Sequence, residues 1–384
     1  MEPSIGLQSI GVSVPDRVLT NDYWRRRYPQ MVSEAEGRTW MWRKPMEWTE
    51  GSEAFNQEMA PFVRDPFRGA RQRRYIESDG SALELELTAA WDALQAANLE
   101  PEDVDLLICS SFQPDAHGIG GAAFLARDLG LKGAAWNLES ACSSALVAYQ
   151  TACSLVQSGQ HRNVLVVSSC TYSRTTVERD PISWGVGDAA SAFVVGPVAD
   201  GAGYLGGHTV HSAETCEAVA YHLEVDRHDR PHLRLRTGRN TAQILRGTSE
   251  RYLKDCCHGA LEAAGVGLSE IDHFVFNTPL AWYTAFCARV LGIDRRRTLS
   301  VYPLYANVGP ALLGMNLLHA AHWKGYHPGD LVLLYTVGSV STCSAAVMRW
   351  SDVGLGALPD GVSLELLEAY ESEVGQPASV AQVA

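Results

Sequence analysis

One cysteine lies in the stretch Asn137-Leu138-Glu139-Ser140-Ala141-Cys142-Ser143-Ser144-Ala145-Leu146, which reads as the end of a strand turning sharply into a helix over about 142–157. A thiol at a helix N-terminus feels the positive end of the helix dipole, which favours the nucleophilic thiolate. Small neighbours leave room for a carbonyl carbon to approach, and the unpaired N–H groups of a first helical turn can hold a developing oxyanion. The chemistry this suits is acceptance of an acyl group as a thioester. The competing reading is a buried structural cysteine, the commonest fate of a free thiol, and the local string leaves both open.

Positioning such a group takes a large scaffold, and 384 residues supply enough chain for two domains or one duplicated domain. Hydrophobic residues at 46% and charged residues at 20% are those of an ordinary globular protein. A net charge of −13 argues against nucleic acid as a partner. The nine cysteines are scattered without a CxxC pair, so we expect reduced thiols, no metal site and a cytoplasmic protein. No apolar run has the length of a membrane span, and Met1-Glu2-Pro3-Ser4 does not read as a secretory leader.

Residues 5–14 read as an opening strand closed by Pro15. From 23 to 68, tryptophans (Trp24, Trp40, Trp42, Trp48) and arginines accumulate without a clear period, suggesting an irregular, partly helical insertion that caps the main body or forms a lid. The cluster Arg68-Gly69-Ala70-Arg71-Gln72-Arg73-Arg74 is basic in an acidic protein; it reads either as a solvated turn or as a contact for phosphate groups. Helical periodicity covers 82–98 and 119–129, buried strands cover 104–111 and 164–169, and Gly185-Val-Gly-Asp188 leads a further strand.

An internal repeat organises these elements. Ala93-Leu-Gln-Ala-Ala-Asn matches Ala260-Leu-Glu-Ala-Ala-Gly at an offset of 167, and 158–167 matches 324–333 at an offset of 166. Two halves joined near 196–206, each alternating strands and helices, make an α/β fold with mainly parallel strands. Between those anchors Ala141-Cys142 falls opposite Ala306-Asn307, so the second half offers Asn307 where the first offers its cysteine.

The ordered motifs Ile10-Gly-Val-Ser-Val-Pro15, Gly69-Ala-Arg-Gln-Arg-Arg74, Ala141-Cys142-Ser143-Ser144-Ala145, Gly185-Val-Gly-Asp-Ala-Ala190, Tyr305-Ala-Asn-Val-Gly309 and Val337-Gly-Ser-Val-Ser341 resemble the thiolase superfamily. Within it they are similar to type III ketoacyl-ACP synthases and to HMG-CoA synthases, over residues 5–350. The resemblance implies a five-layered αβαβα thiolase fold, a homodimer, an acyl-thioester on Cys142, and a tunnel for a phosphopantetheine arm from CoA or acyl carrier protein. It implies no tightly bound cofactor and no metal. It divides the chain into an N-terminal half (1–200), a C-terminal half (201–350) and an extension (351–384). Arg71 falls on the family's basic position at the tunnel entrance, and Ser143, Thr278 and Ser339 fall where substrate is lined.

One position departs from the family. Its catalytic histidine, found in strings such as Phe-His-Thr-Pro, is replaced here in Phe276-Asn277-Thr278-Pro279. An amide can donate a hydrogen bond but cannot act as a base near neutral pH. Capture of an acyl group by Cys142 is then retained while decarboxylative condensation is impaired. His117, in the loop after the 104–111 strand, is the candidate replacement base; His273, four residues before Asn277, is expected to face away within its strand, His319 and His322 to lie too far along the helix after Asn307, and Asp188 to hold a turn. The expectation is a ketosynthase-III-like acyltransferase of polyketide or fatty-acid-type natural-product biosynthesis. It would move an acyl group from CoA or carrier protein to a small-molecule nucleophile without decarboxylation, using Cys142, Asn307 and Asn277. The alternatives are a decarboxylative β-ketoacyl synthase and a weakly catalytic or non-catalytic partner subunit; the retained cysteine argues against the last.

Overall fold

The computed structural model describes residues 4–41, 53–216, 218–338 and 341–373, with the side chains of 38–41 set aside. Two mixed sheets form its centre. The first holds six strands in the order Gly354–Leu355, Ser4–Ser13, Asp188–Val198, Val164–Thr171, Leu106–Phe112 and Ala134–Asn137. Its outer three strands at the Ala134 end run parallel, Leu106 pairing with both Val164 and Ala134. Ser4–Ser13 and Asp188–Val198 pair antiparallel in its middle. The second sheet holds four strands in the order His273–Phe276, Leu331–Val337, Thr342–Arg349 and Gly203–His211, with the first pair parallel and the others antiparallel.

The repeat seen in the sequence is a repeat of structure. Ser4–Ser13 corresponds to Gly203–His211, Ala82–Ala96 to Thr241–Ala264, Leu106–Phe112 to His273–Phe276, and Val164–Thr171 to Leu331–Val337. Even the short Ala134–Asn137 edge has a counterpart, a single parallel bridge between Phe274 and Thr298.

Two helices lie between the sheets and carry the site: Ser144–Gln157 and Leu312–Lys324. The second is buried without a break from Leu312 to Ala321, while the first buries most of its length and turns Ser154 and Gln157 outward. Leu146, Ala148, Tyr149 and Ala152 of the first, and Leu313, Met315, Leu317 and Leu318 of the second, join one core with Ile10, Val166, Val332 and Leu334 from both sheets. That shared core holds the starts of the two helices at a fixed separation.

The 23–68 region is more regular than its composition suggests. It forms the helices Asn21–Arg27, Pro29–Met41 and Glu53–Met59. Trp24 is fully buried in a small cluster with Leu19, Val32, Phe67, Tyr75 and Trp184, and Phe55 and Phe62 pack on Trp282. Trp42 and Trp48 lie outside the described residues, as does the side chain of Trp40. A hairpin that the sequence reading passed over, Val219–Val225 with Pro231–Thr237, folds back so that Tyr221 and Leu235 meet Tyr172 and Phe112.

The basic cluster proves largely structural. Arg73 is completely buried, with its guanidinium 4.4 Å over the Trp24 ring and donating to Asn21 Oδ1 and the Trp184 carbonyl. Arg74 donates to the carbonyls of Pro15, Asp16 and Asp360, and Arg68 to those of Phe62 and Val63. Buried guanidiniums persist where carbonyl acceptors surround them. Neither a solvated turn nor a phosphate patch describes these three residues.

Candidate active site

Ala141 occupies the left-handed region at φ 51°, which turns the chain back on itself and leaves Cys142 at the tip. Ser144 clamps this turn: its hydroxyl donates to the Ala141 carbonyl at 2.7 Å and accepts the Ser140 N–H at 2.8 Å. The helix proper begins at Ser144, two residues after the nucleophile. Gly338 presses against this turn; a Cβ there would lie 2.9 Å from both the Ser140 carbonyl and Ser143 Oγ, so no larger residue fits. Ser143 is buried and donates to the Thr342 carbonyl at 2.8 Å, which fixes the turn to the second sheet.

The thiol departs from the expectation of a lowered pKa. Cys142 is half-buried, and burial pushes its thiol up to about 11. The hydroxyl of Tyr172 and the cysteine's own N–H offset part of that rise. Tyr172 Oη lies 4.0 Å from Cys142 Sγ.

Asn307 arrives from the other half after a second residue of positive φ. Ala306 has φ 57° and ψ −155°, and Asn307 follows it as Cys142 follows Ala141. Asn307 is held by the Gly185-Val-Gly turn: its N–H donates to the Gly185 carbonyl at 3.0 Å and its carbonyl accepts the Gly187 N–H at 2.9 Å. Gly187 must be glycine, because a Cβ would come within 2.4 Å of the Tyr305 carbonyl. Asn307 Oδ1 accepts the Gly309 N–H at 2.9 Å, and its Nδ2 has no hydrogen bond among the described residues. That free amide is a ready donor.

Asn277 is placed differently. Its Oδ1 accepts the Val337 N–H at 2.9 Å, while its Nδ2 faces the carbonyls of Cys142, at 3.4 Å, and Val337, at 3.5 Å. It is fully buried, and the whole amide is engaged with backbone. The structure thus brings Asn277 to the nucleophile's main chain, with its hydrogens turned to carbonyl oxygens. Thr278 is buried beside it and accepts from Asn316 Nδ2 at 3.1 Å. Ser339 lies outside the described residues.

The histidines distribute as follows. His117 is solvent-exposed in the loop after Leu106–Phe112 and has no hydrogen bond to Cys142. His273 stacks on Tyr326 and pairs with Asp330, and His322 bonds the Gly356 carbonyl. His319 is buried, bonded to Tyr305 Oη and the Met315 carbonyl, and burial lowers it to about 4. Asp188 holds a turn as expected, accepting from Ile76 N–H and from the N–H and hydroxyl of Ser173. Arg71 forms an ion pair with Glu373 at 3.5 Å, at the end of the Leu364–Ser372 helix.

Tyr172 is the site residue that sequence reasoning missed. It follows the Val164–Thr171 strand directly and opens the single turn Tyr172–Arg174. Its carbonyl accepts from the backbone N–H and hydroxyl of both Thr175 and Thr176. Phe112 meets its ring edge-on at 6.3 Å. Among the described residues no three or more His, Cys, Asp or Glu side chains gather as a metal site.

Comparison with known proteins agrees with this geometry. Residues 136–213, which hold Cys142, Tyr172 and the Gly185–Asp188 turn, match the family 3-oxoacyl-[acyl-carrier-protein] synthase III, and residues 261–350 match its C-terminal family. Over those two stretches the chain is similar to the type III ketoacyl-ACP synthases. A β-ketoacyl-[acyl-carrier-protein] synthase III from Desulfitobacterium hafniense is 27% identical over 371 residues, spanning 92% of this chain and 99% of the relative. One from Chelativorans is 28% identical over 292 residues, spanning 73% and 88%. Among solved structures, FabH of Pseudomonas aeruginosa superposes with a TM-score of 0.74 at 20% identity, covering 93% of this chain and all of that one. A His-to-Asn variant of Xanthomonas campestris OleA superposes with a TM-score of 0.73 at 20% identity, covering 91% and 99%. The thiolase-type fold of this chain is thereby shown.

Proposed function

We propose that the protein is an acyltransferase that loads an acyl group onto Cys142 from CoA or an acyl carrier protein and passes it, without decarboxylation, to a small-molecule nucleophile. The observation that carries this reading is the turn-tip Cys142 and the free amide of Asn307, with the amide of Asn277, which the resemblance aligns with the family's histidine, engaged by backbone. In the step itself, Cys142 sulfur attacks the thioester carbon, the oxyanion is held by Asn307 Nδ2, and the donor thiol leaves carrying the proton that Cys142 gave up. No tightly bound cofactor is required. A neutral amide at 277 offers no proton acceptor for condensation chemistry.

The relatives support acyl-carrier chemistry. Their names specify a β-ketoacyl-[acyl-carrier-protein] synthase, and a Cys-to-Ser variant of Xanthomonas campestris OleA was crystallised with lauric acid and lauroyl-CoA. We read the chain as two catalytic halves, 1–200 and 201–350, followed by an extension from 351. We also read it as a cytoplasmic homodimer, with the exposed Ala134–Asn137 edge and its Trp136 available to a second copy. No described helix is long and apolar enough to cross a membrane. A place in natural-product biosynthesis of the polyketide or fatty-acid type suits a transferase that lacks the condensing histidine.

The family name of the relatives favours a second reading, decarboxylative condensation to a β-ketoacyl product. Intact-protein mass spectrometry after incubation with acyl-CoA separates the two. An acyl adduct on Cys142 without CO₂ release from malonyl-CoA is the expected result. CO₂ release with the adduct establishes condensation, and absence of any adduct removes both.

A further inference from the structure

The Cys142 thiol lies in a buried setting that opposes its ionisation. What the structure puts next to the sulfur is a phenol. Tyr172 Oη stands 4.0 Å from Cys142 Sγ, the one side-chain hydrogen bond to that sulfur among the described residues.

The phenol is held in place from several directions. Four donors, the N–H and hydroxyl of Thr175 and of Thr176, converge on the Tyr172 carbonyl. The next residue, Ser173, is tied through both its N–H and its hydroxyl to Asp188, in the same turn that carries Asn307 through Gly185 and Gly187. Phe112 meets the Tyr172 ring edge-on, and Tyr221 of the hairpin meets Phe112 in the same way, both at 6.3 Å. The ring is 5% exposed, so the hydroxyl is aimed at the sulfur with little freedom to leave it. Its own ionisation is pushed well above the usual phenol range by burial, which keeps the proton on oxygen and makes Tyr172 a donor at every working pH.

We infer that Tyr172 is a catalytic residue that donates its phenol O–H to the Cys142 sulfur, stabilising the thiolate both as it attacks the acyl donor and as it leaves the acyl-enzyme. The inference rests on the proposed acyl transfer for its place in a reaction, although the contact to sulfur stands independently of it. In loading, the Cys142 S–H bond breaks, an S–C bond forms to the acyl carbon, the donor's C–S bond breaks, and the proton leaves on the donor thiol. In unloading, the acceptor's nucleophilic atom takes the acyl carbon and its proton returns to Cys142 sulfur. The O–H of Tyr172 stays intact through both steps and strengthens as a hydrogen bond whenever the sulfur is charged. The other titratable groups around the pair are Cys170 on the strand below, Tyr221 on the hairpin, and Glu139 on the nucleophile's own segment, whose carboxyl accepts from Ser110 and Ser111.

The test measures thiolate formation without any acyl donor. The rate of Cys142 alkylation by iodoacetamide, followed by peptide mass spectrometry across pH, is compared among wild type, Tyr172→Phe and Tyr172→Leu, with thermal melting to confirm that each is folded. Loss of the hydroxyl should slow alkylation at pH 8 about tenfold and move the midpoint up in both variants equally, as expected for a hydrogen bond to a charged group. An unchanged profile in a folded Tyr172→Phe protein overturns the inference. So does a shift confined to Tyr172→Leu, which would assign the effect to packing. Failure of acyl loading in mass spectrometry would remove the proposed transfer and leave the alkylation result standing.

Discussion

Ala141 and Ala306 both stand at positive φ, 51° and 57°, and each directly precedes a residue of the candidate site, Cys142 and Asn307. The duplicated halves thus each contribute a positive-φ turn, one followed by a thiol and the other by an amide. An L-residue held at positive φ costs of order 1–3 kcal/mol and persists only where the surroundings over-determine it. Here the Ser144 clamp and the Gly185–Gly187 turn do so.

The first prediction follows from that strain. A β-branched residue tolerates positive φ worse than alanine does. Ala141→Val and Ala306→Val should each lose at least about 1–3 kcal/mol in urea unfolding. They should also lose acyl loading, because the elbow relaxes. A Val variant at either position with wild-type stability and loading would show that the elbow is not under strain.

The two asparagines should separate cleanly. Asn307→Asp keeps the oxygen that accepts the Gly309 N–H and removes the free Nδ2 donor, so turnover should fall about 10²–10³-fold with little change in melting. Asn277→Ala strands the buried Val337 N–H and should cost about 1–3 kcal/mol of stability. Steady-state kinetics and urea titration of both variants check the pair. A pure rate defect in Asn277→Ala would instead make its amide a donor to substrate.

Much of this site could be read from the residues, and the parts that could not have physical reasons. That Ala141-Cys142 and Ala306-Asn307 stand at corresponding turns was legible because the repeat aligned them. The basic cluster misled because sequence gives a charge without its direction. Arg73 turns inward over Trp24, and 49 residues separate it from that ring. Tyr172 was one of 14 tyrosines, with its partner 30 positions away, and no period distinguishes it. The Val219–Thr237 hairpin did leave a signal, a turn with Asp226 and Asp229 between alternating runs, which pattern reading could have caught.

The Arg71–Glu373 pair bears on donor binding. Glu373 is 57% exposed, so the pair adds at most about 1 kcal/mol to stability. If Arg71 contacts the phosphates of a carried donor, Glu373 competes with them for the same guanidinium. Glu373→Gln should then lower KM for acyl-CoA a few-fold without moving the melting temperature, and Arg71→Ala should raise it about tenfold. Equal KM values for wild type and both variants would place donor phosphates elsewhere.

His319 sets a pH limit on the fold. The Met315 carbonyl can only accept, so Nδ1 carries the proton that it donates there at 2.7 Å, and Nε2 accepts the Tyr305 hydroxyl at 3.1 Å. Buried with both ring nitrogens committed, the imidazole is held neutral down to about 4, against an ordinary 6.5. Between those values the unfolded chain binds a proton that the folded chain refuses, so stability is full above pH 6.5 and falls as pH drops toward 4. The shift corresponds to about 3 kcal/mol at its full extent. Asp188 works in the opposite sense: burial raises it to about 6 from 3.8, so its contribution improves on acidification through the same range. The two oppose each other in wild-type protein, and a variant isolates one of them. His319→Gln should remove the acid-side loss, so that urea unfolding at pH 5 and pH 7.5 differs less in the variant than in wild type. An identical pH dependence in both proteins would mean that His319 titrates normally and that its buried hydrogen bonds do not hold it neutral.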